Sequence, residues 1–311
     1  MPHDLFTEYI ESWADWARVY QSIPAFEPMI RCIFRKEWLP PAAVTHLTPG
    51  TNAVFRVGGY VIKIYAPASA GFDQSADRQT ELFAAAHAQA LGVKVPDIVA
   101  NGVLNDRYPF AYLIMRWIEG RALGSVLKTS DPGGQLLLGR RLRRLTDAMN
   151  VPCPPFNDVD VIADPERSER WLPYREAFRA ERQAYIGRQK FGTPVFSHGD
   201  LCADNILVRA DREPVVIDFA DAVLAPPCYE QALIAFEYRG YPAFLRGYWE
   251  GENLSVVAER VWNGILIHDF GGDIVKNTFP QALAWKSTEE LQAEICRMLA
   301  PAFAGTPPAE L

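Results

Sequence analysis

The chain has 311 residues, of which 49% are hydrophobic and 22% are charged. These values are typical of a folded protein with an ample core, and they exclude an intrinsically disordered chain. The net charge of −7 excludes the broad basic surface of a nucleic-acid-binding protein, so no nucleic-acid partner is predicted. The length allows either one large domain or two lobes.

Cysteine usage and the N-terminal residues indicate a cytoplasmic protein. The five cysteines are odd in number, widely spaced and without a Cys-x-x-Cys pair, which favours free thiols in a reducing compartment over disulfides or a zinc site. The first residues carry acids and no basic segment, unlike a signal peptide. No apolar run approaches the roughly 18 residues that a membrane-spanning helix needs, so no membrane association is predicted. The protein is expected to be a monomer or a homodimer.

The N-terminal third of the chain predicts helix and then sheet. Residues 4–20 carry apolar residues at helical spacing and predict an amphipathic helix with a packing role, partner binding being the alternative. Residues 22–41 contain four prolines and predict an irregular segment or a short helix. Residues 44–65 predict three strands, with turns at residues 49–52 and 58–59.

Charged and turn residues in this region each allow two interpretations. Lys63 lies between apolar neighbours in the third predicted strand, so its side chain either reaches solvent or points at an anion. Residues 74–91 predict a helix, in which Glu81 either faces solvent or pairs with Lys63. The turn at 49–52 either simply joins two strands or presents backbone N–H groups to a phosphate.

The remainder of the chain predicts two more strands and then mostly helices. Residues 95–100 and 110–118 are the predicted fourth and fifth strands. Helices are predicted at residues 122–149, 166–190, 228–249, 254–276 and 287–299. This organisation predicts two lobes, residues 1–118, of which 1–41 form a helical extension, and residues 119–311.

The most informative stretch runs from His-Gly-Asp at 198–200 to Asp218. Two short apolar runs, 206–208 and 215–217, flank a polar turn and predict a hairpin. The residues that enter and leave a hairpin lie at the same end, so Asn205 and Asp218 become neighbours, with Asp200 one tight loop upstream. Two carboxylates and an amide oxygen are ligands that Mg²⁺ accepts in proteins.

The order of these features resembles the aminoglycoside phosphotransferase and choline kinase-like family, a branch of the protein-kinase-like fold. The resemblance covers roughly residues 44–275, and residues 196–219 are its most specific part. It implies an α+β bilobal fold, with an antiparallel five-stranded sheet and one key helix in the first lobe and a mostly helical second lobe.

The resemblance also implies a role for each matching residue. Asp200 matches the catalytic aspartate that takes or orients the proton of the acceptor hydroxyl, and Asn205 and Asp218 match the Mg²⁺ ligands. Lys63 matches the lysine on the nucleotide phosphates, and Glu81 matches the glutamate that holds it. The turn of Gly50, Thr51 and Asn52 matches the nucleotide-covering loop. The segment from Met115 to Trp117 matches the hinge that receives adenine through backbone groups. His198 matches a residue that supports the catalytic loop.

Departures from the protein-kinase pattern favour a small-molecule kinase. Asp218 is followed by Phe-Ala-Asp rather than Phe-Gly, and His-Gly-Asp stands where protein kinases carry His-Arg-Asp. The next predicted helix follows within about a dozen residues, which is too short for a regulated activation loop. A later Asp-Phe-Gly at 269–271 follows a helix rather than the hairpin and is not predicted to bind metal. Pro49 stands where family members often carry a glycine.

The sequence therefore predicts an enzyme that moves the γ-phosphate of ATP or GTP, with Mg²⁺, to a hydroxyl of an aminoglycoside, an amino alcohol or a sugar-like molecule. Four acids could attract an amine-bearing acceptor, although surface charge and helix capping explain each of them at least as well: Asp221, Glu230, Asp269 and Asp273. The alternatives are a nucleotide-binding regulatory module without turnover and, third, a protein kinase.

Overall fold

The computed structural model describes residues 4–48, 50–71, 74–163 and 165–304, and the side chains of residues 165–167 are outside the description. Contacts divide the chain into two compact units. The first unit comprises Met1–Leu82 and Val95–Glu119, and the second comprises Phe83–Lys94 and Gly120–Leu311. The predicted division at residue 118 placed residues 83–94 in the first lobe, whereas the contacts group them with the second unit.

The first unit is built on a five-stranded antiparallel sheet, which confirms the predicted fold class. Its strands follow the spatial order β1-β2-β3-β5-β4. They are β1 (Val44–His46), β2 (Ala53–Val57), β3 (Tyr60–Ile64), β4 (Ile98–Asn105) and β5 (Pro109–Arg116). Two helices precede the sheet, α1 (Trp13–Val19) and α2 (Ile23–Lys36), and α3 (Ser75–Ala90) begins in this unit.

The segment before α1 is irregular rather than helical, so the prediction of a helix over 4–20 is correct only in its second half. The backbone N–H groups of Leu5 and Phe6 donate to the Asp106 carboxylate at 3.0 and 2.7 Å, and that of Ile10 donates to the Tyr108 hydroxyl. These side chains satisfy donors that would otherwise need helical partners. Apolar spacing alone does not reveal such competition.

Helix α2 contradicts the prediction of an irregular segment or short helix at 22–41. Pro24 lies at the second helical position, where its missing N–H has no helical partner to lose. Pro28 lies inside the helix, and the apolar face around it is buried. That face follows helical spacing and outweighs the local effect of proline: Phe26, Met29, Ile30, Ile33 and Phe34.

Alternation along β3 separates the core of the first unit from Lys63. Tyr60, Ile62 and Ile64 belong to the hydrophobic core that also includes residues of α1 and α2. Successive side chains of a strand point to opposite faces, so Lys63 lies on the other face of the sheet. This placement keeps the ammonium group away from the aromatic core.

The second unit is mostly helical, as predicted, but proline and helix-capping residues divide the long predicted helices. Asp131 caps a new helix that begins at Pro132, and Pro242 begins another. The helices are α4 (Leu123–Thr129), α5 (Pro132–Met149), α6 (Glu176–Ile186), α7 (Cys228–Glu237), α8 (Pro242–Tyr248), α9 (Leu254–Ile267), α10 (Gly271–Thr278) and α11 (Thr288–Phe303).

Two small sheets complete the second unit. The strands are β6 (Arg121–Ala122), β7 (Val195–Ser197), β8 (Ile206–Val208), β9 (Pro214–Val216) and β10 (Val223–Ala225). The antiparallel sheet β6-β8-β9 contains the predicted hairpin, and β7 pairs with β10. Within the described residues, no helix combines the length and apolar character needed to cross a membrane.

Candidate active site

Lys63 and Glu81 form a buried ion pair in the first unit. The Lys63 Nζ atom lies 2.7 Å from the Glu81 Oε2 atom, and the two residues are 4% and 2% exposed. The Tyr65 hydroxyl donates to the same oxygen at 2.6 Å. The fold therefore pairs Lys63 with Glu81 and does not expose either charge to solvent.

The predicted nucleotide-covering loop lies between β1 and β2. Gly50 and Thr51 are exposed, whereas Asn52 is buried. Pro49, the residue at the position where the family often carries glycine, lies outside the described residues. The predicted role of the loop stays a prediction, since its backbone groups are in place but no ligand contact tests it.

Backbone N–H groups at the end of β5, in the predicted hinge, are already used within the protein. The N–H of Trp117 already donates to the Gly59 carbonyl at 2.9 Å, and that of Arg116 donates to the Asp97 carbonyl at 2.9 Å. Met115 is paired within the sheet. In the described part of the chain, the N–H of Ile118 is the first one after β5 without a protein acceptor.

The β8–β9 hairpin of the second unit brings three predicted residues together. The Ile217 N–H donates to the Asn205 carbonyl at 3.0 Å, so Asp218 follows directly at the end of the hairpin where Asn205 enters. The Asn205 Nδ2 atom donates to both the carbonyl oxygen and the Oδ2 atom of Asp200, each at 2.9 Å. The amide nitrogen is thereby occupied, which leaves the Asn205 Oδ1 atom to serve as a ligand.

His198 connects the catalytic loop to the hairpin. Its Nδ1 atom accepts the Asp200 N–H at 3.2 Å, and its Nε2 atom lies 3.0 Å from the Ile217 carbonyl oxygen. An acceptor at Nδ1 and a carbonyl at Nε2 require the proton on Nε2. The fully buried ring also packs on Phe219, with centroids 4.5 Å apart. These contacts support the proposal that His198 holds the loop rather than acting as a base.

The glycine of His-Gly-Asp is required by the backbone of the loop. Gly199 has a φ angle of +85°, which favours glycine. A Cβ atom at this position would lie 2.0 Å from the carbonyl oxygen of Asp221. The arginine found in protein kinases therefore cannot occupy this position without moving the loop.

Asp218 also adopts a left-handed backbone conformation, with φ of +62°. Such angles are uncommon for residues other than glycine, and they concentrate at sites where a side chain must be aimed in one direction. Asp218 comes two residues after β9 ends, and its side chain is exposed. The conformation turns the chain out of the hairpin at the residue predicted to bind metal.

Negative charge accumulates around Asp200. The pKa of its carboxyl group is raised to about 6, chiefly by burial and in addition by the charges of Asp218 and Glu237, against the lowering effect of the hydrogen bond from Asn205. The described residues contain no group of three or more His, Cys, Asp and Glu side chains suited to a metal. Two carboxylates with one amide oxygen form a hard oxygen donor set, which fits Mg²⁺.

The four acids predicted as possible acceptor contacts have different surroundings. Asp221 is exposed. Asp273 forms ion pairs with Arg170 and Lys276 at 2.9 and 2.6 Å, and Asp269 lies 3.6 Å from Arg170. These ion pairs compete with an acceptor amine for Asp269 and Asp273.

Glu230 requires a correction, because the structure contradicts a direct contact with an acceptor. Its side chain is fully buried, and the Oε2 atom accepts the N–H of His198 at 2.7 Å. The pKa of Glu230 is raised to about 8, because the effect of desolvation exceeds the lowering effect of the hydrogen bonds from the His198 and Gly199 backbone. The residue therefore supports the catalytic loop from the first turn of α7.

The sequence did not indicate two further residues beside Asp200. The Oε1 atom of Glu237 accepts the Ala203 N–H at 3.0 Å and adds negative charge near Asp200. The Cys202 thiol lies 3.9 Å from the Asp200 Oδ2 atom, and burial raises its pKa to about 12, so it remains protonated. Glu237 lies seven residues, or about two helical turns, after Glu230 and therefore on the same face of α7. This spacing becomes informative only once Glu230 is known to face the loop.

Comparison with known proteins places the chain in a family. The model of the phosphotransferase enzyme family, APH, matches residues 47–262, which is more than half of the chain. A comparison with curated protein sequences gave no significant match.

Solved aminoglycoside phosphotransferases share the fold. The structure of APH(2")-IIa in ternary complex with streptomycin and ATP is 16% identical, with a TM-score of 0.59 over 84% of this chain and 96% of that one. The GDP complex of aminoglycoside 2'-phosphotransferase-IIIa is 19% identical, with a TM-score of 0.58 over 89% and 99%. APH(4)-Ia is 18% identical, with a TM-score of 0.54 over 90% and 99%. This protein therefore belongs to the phosphotransferase enzyme family and is, as its sequence predicts, a phosphotransferase with a protein-kinase-like fold.

Proposed function

We propose that this chain transfers the γ-phosphate of ATP or GTP to a hydroxyl group of a small molecule, with Mg²⁺ as cofactor. The observation that carries the proposal is the hydrogen-bonded arrangement of Asp200 and Asn205 beside Asp218 at one end of the hairpin. The buried pair of Lys63 and Glu81 supports it, since a lysine fixed by a carboxylate is suited to hold phosphate oxygens.

Asp200 acts on the acceptor hydroxyl. As the hydroxyl oxygen forms a bond to the γ-phosphorus, the bond to the β–γ bridging oxygen breaks and the nucleoside diphosphate leaves. The hydroxyl proton passes to the Asp200 carboxylate, whose pKa of about 6 leaves it mostly ionised at neutral pH. A base positioned in this way contributes about 10²–10⁴-fold to the rate.

Asn205 and Asp218 would hold Mg²⁺, which neutralises charge on the nucleotide phosphates when bound. Lys63 would contact the phosphates, with Glu81 fixing its ammonium group. Gly50, Thr51 and Asn52 would cover the phosphates through backbone N–H groups. For the base we propose the N–H of Ile118 in place of Trp117, because the N–H of Trp117 is already bonded to Gly59.

The class of acceptor is proposed from the related structures and from the acids near the loop. The related enzymes were solved with streptomycin, kanamycin or hygromycin B, which carry both hydroxyl and amino groups. Asp221 is our candidate for an amine contact, and Asp269 and Asp273 would have to exchange their ion pairs with Arg170 for one. An amino alcohol or a sugar-like acceptor of lower charge remains within the proposal.

We also propose that the enzyme acts in the cytoplasm, as a monomer or a homodimer. All five cysteines are free thiols, which persist in a reducing compartment.

The test is phosphotransfer with ATP and GTP, in the presence of Mg²⁺, across a panel of aminoglycosides, amino alcohols and sugars. We expect Asp200→Asn to lower kcat by about 10²–10⁴-fold while nucleotide affinity is retained. Full activity of Asp200→Asn would remove the catalytic assignment. Mg–nucleotide binding by the wild type without transfer to any acceptor would favour a regulatory module instead.

A further inference from the structure

The N-terminal extension is hydrogen-bonded to the loop that precedes β2. The indole Nε1 atom of Trp16, in α1, donates to the carbonyl oxygen of Thr51 at 2.8 Å. Trp16 is fully buried, and both residues belong to the first unit. Thr51 is one of the three residues proposed to cover the nucleotide phosphates, so this bond joins α1 to the proposed binding loop.

The position of the indole donor is fixed by its surroundings. The ring of Trp16 stacks on Tyr20 with centroids 6.3 Å apart and meets the edge of Phe26 at 5.8 Å. Ser12 caps the first turn of α1 by accepting the Asp15 N–H. Farther towards the N-terminus, the Asp106 carboxylate holds the chain through two backbone N–H groups. The indole is therefore attached to a packed scaffold rather than to a loose arm.

The loop has backbone donors that the protein does not use. In the described part of the chain, the N–H groups of Gly50, Thr51 and Asn52 make no hydrogen bond within the protein. The buried Asn52 Oδ1 atom is likewise without a partner there. Successive unpaired N–H groups in a loop are suited to an anion such as phosphate.

The Trp16 bond determines where one of these donors points. The peptide bond between Thr51 and Asn52 is trans and planar, so its carbonyl and its N–H point in opposite directions. Because Trp16 holds the Thr51 carbonyl towards α1, the Asn52 N–H is turned to the other side of the loop. Among the described residues, the indole bond is the one hydrogen bond that holds this peptide plane.

We propose that Trp16 is a positioning residue for the nucleotide: it fixes the Thr51–Asn52 peptide so that the Asn52 N–H faces the phosphates. The proposal rests on the proposed phosphotransferase function and extends it, because it gives the N-terminal extension a role in nucleotide affinity. The proposal does not require any contact between Trp16 and a substrate.

The test compares Trp16→Phe with a matched control, Trp262→Phe. Trp262 is also buried, and its Nε1 atom donates to the Thr288 carbonyl at 3.2 Å in the second unit. Both substitutions remove an indole–carbonyl bond and keep an aromatic ring. For Trp16→Phe we expect the KM of the nucleotide and the inhibition constant of its diphosphate to rise about threefold to tenfold, the effect of one hydrogen bond. We expect kcat, the acceptor KM and the inhibition constant of the free nucleoside to stay within about twofold.

The contrast between diphosphate and nucleoside separates positioning from general loosening. A variant that merely destabilises the unit would weaken both ligands, and Trp262→Phe should weaken neither. If Trp16→Phe fails to fold, benzothienylalanine incorporated at position 16 keeps the bicyclic ring and replaces the N–H by sulfur. Equal diphosphate affinity in wild type and variant would overturn the role of Trp16. Absence of Mg–nucleotide binding in the wild type would instead overturn the proposed function itself.

Discussion

At the scale of single residues, Lys63 and Glu81 illustrate a charged pair kept out of water. Breaking a buried ion pair by removing one partner leaves an uncompensated charge and typically costs about 3–5 kcal/mol. Replacing both partners by apolar residues of similar size is often far less damaging. The stability and the function of this pair can therefore be separated by substitution.

We expect Glu81→Leu to lower the free energy of unfolding by about 3–5 kcal/mol, because Lys63 then stays buried without this carboxylate. The double variant Lys63→Met with Glu81→Leu should be more stable than Glu81→Leu and yet lose affinity for the nucleotide. Urea denaturation and nucleotide titration measure the two effects. A double variant no more stable than the single one would show that the ion pair does not account for the loss.

Glu230 makes a pH-dependent contribution to stability. The pKa of Glu230 is about 8 in the folded protein, against an ordinary value of 4.5. Below pH 4.5 the carboxyl group is protonated in both states, and its burial then carries no penalty. Between pH 4.5 and 8 the unfolded chain loses this proton while the folded protein keeps it, so stability falls as the pH rises.

Glu230→Gln should therefore flatten the pH dependence of stability. The wild type should lose about 1.4 kcal/mol for each pH unit between about pH 5 and 8 through this one group, and the variant should not. The amide oxygen can still accept the His198 N–H, so the fold is kept. Urea denaturation at several pH values provides the measurement, and parallel pH curves for the two proteins would refute the prediction.

At the scale of elements, α5 and α8 pack closely because each presents a glycine to the other. A Cβ atom on Gly139 would lie 2.0 Å from the Phe244 carbonyl oxygen, and one on Gly247 would lie 2.1 Å from that of Leu136. The two backbones meet at a distance that only glycine permits. The arginine-rich sequence of α5 gave no indication of this contact.

Gly139→Ala should destabilise the protein by about 1–3 kcal/mol, since the added methyl group forces the helices apart. Gly133→Ala is the matched control in the first turn of α5, where the nearest atom to a new Cβ would be at 3.6 Å. That control should leave stability unchanged or raise it by up to about 1 kcal/mol, because alanine favours helix. Thermal or urea denaturation distinguishes them, and equal effects of both substitutions would contradict the close contact.

Elements that a local sequence pattern determines could be predicted. Elements whose structure depends on contacts with residues far away in the sequence could not. The β8–β9 hairpin and the placement of Asn205 beside Asp218 follow from local apolar runs around a polar turn. The length of helix α2 was underestimated because proline was given more weight than the apolar face it accompanies. The irregular segment before α1 was missed because its N–H groups bond Asp106, about a hundred residues away.

At the scale of the whole molecule, the chemistry was more predictable than the recognition of ligands. The proposed catalytic aspartate and the proposed metal ligands occupy one short stretch, so their spacing in sequence already constrains their geometry. Glu230 was considered as a possible acceptor contact because sequence does not reveal burial. Sequence also does not reveal which N–H groups of the segment from Met115 to Trp117 are already used. In both cases the surroundings of a residue, rather than its identity, decide what it can contact.

Hydrogen bonds with Asp106, Tyr108 and Thr51 hold the N-terminal segment on the first unit. These bonds limit which segments can be exchanged between related proteins. The family match begins at residue 47, after α1, α2 and β1, yet the buried side chains of α1 and α2 form one core with the sheet. The segment matched by the family model is thus smaller than the part that folds as one core. A chimera joined at the family boundary would leave an apolar sheet face uncovered, so a transplanted sheet should carry its own N-terminal helices with it.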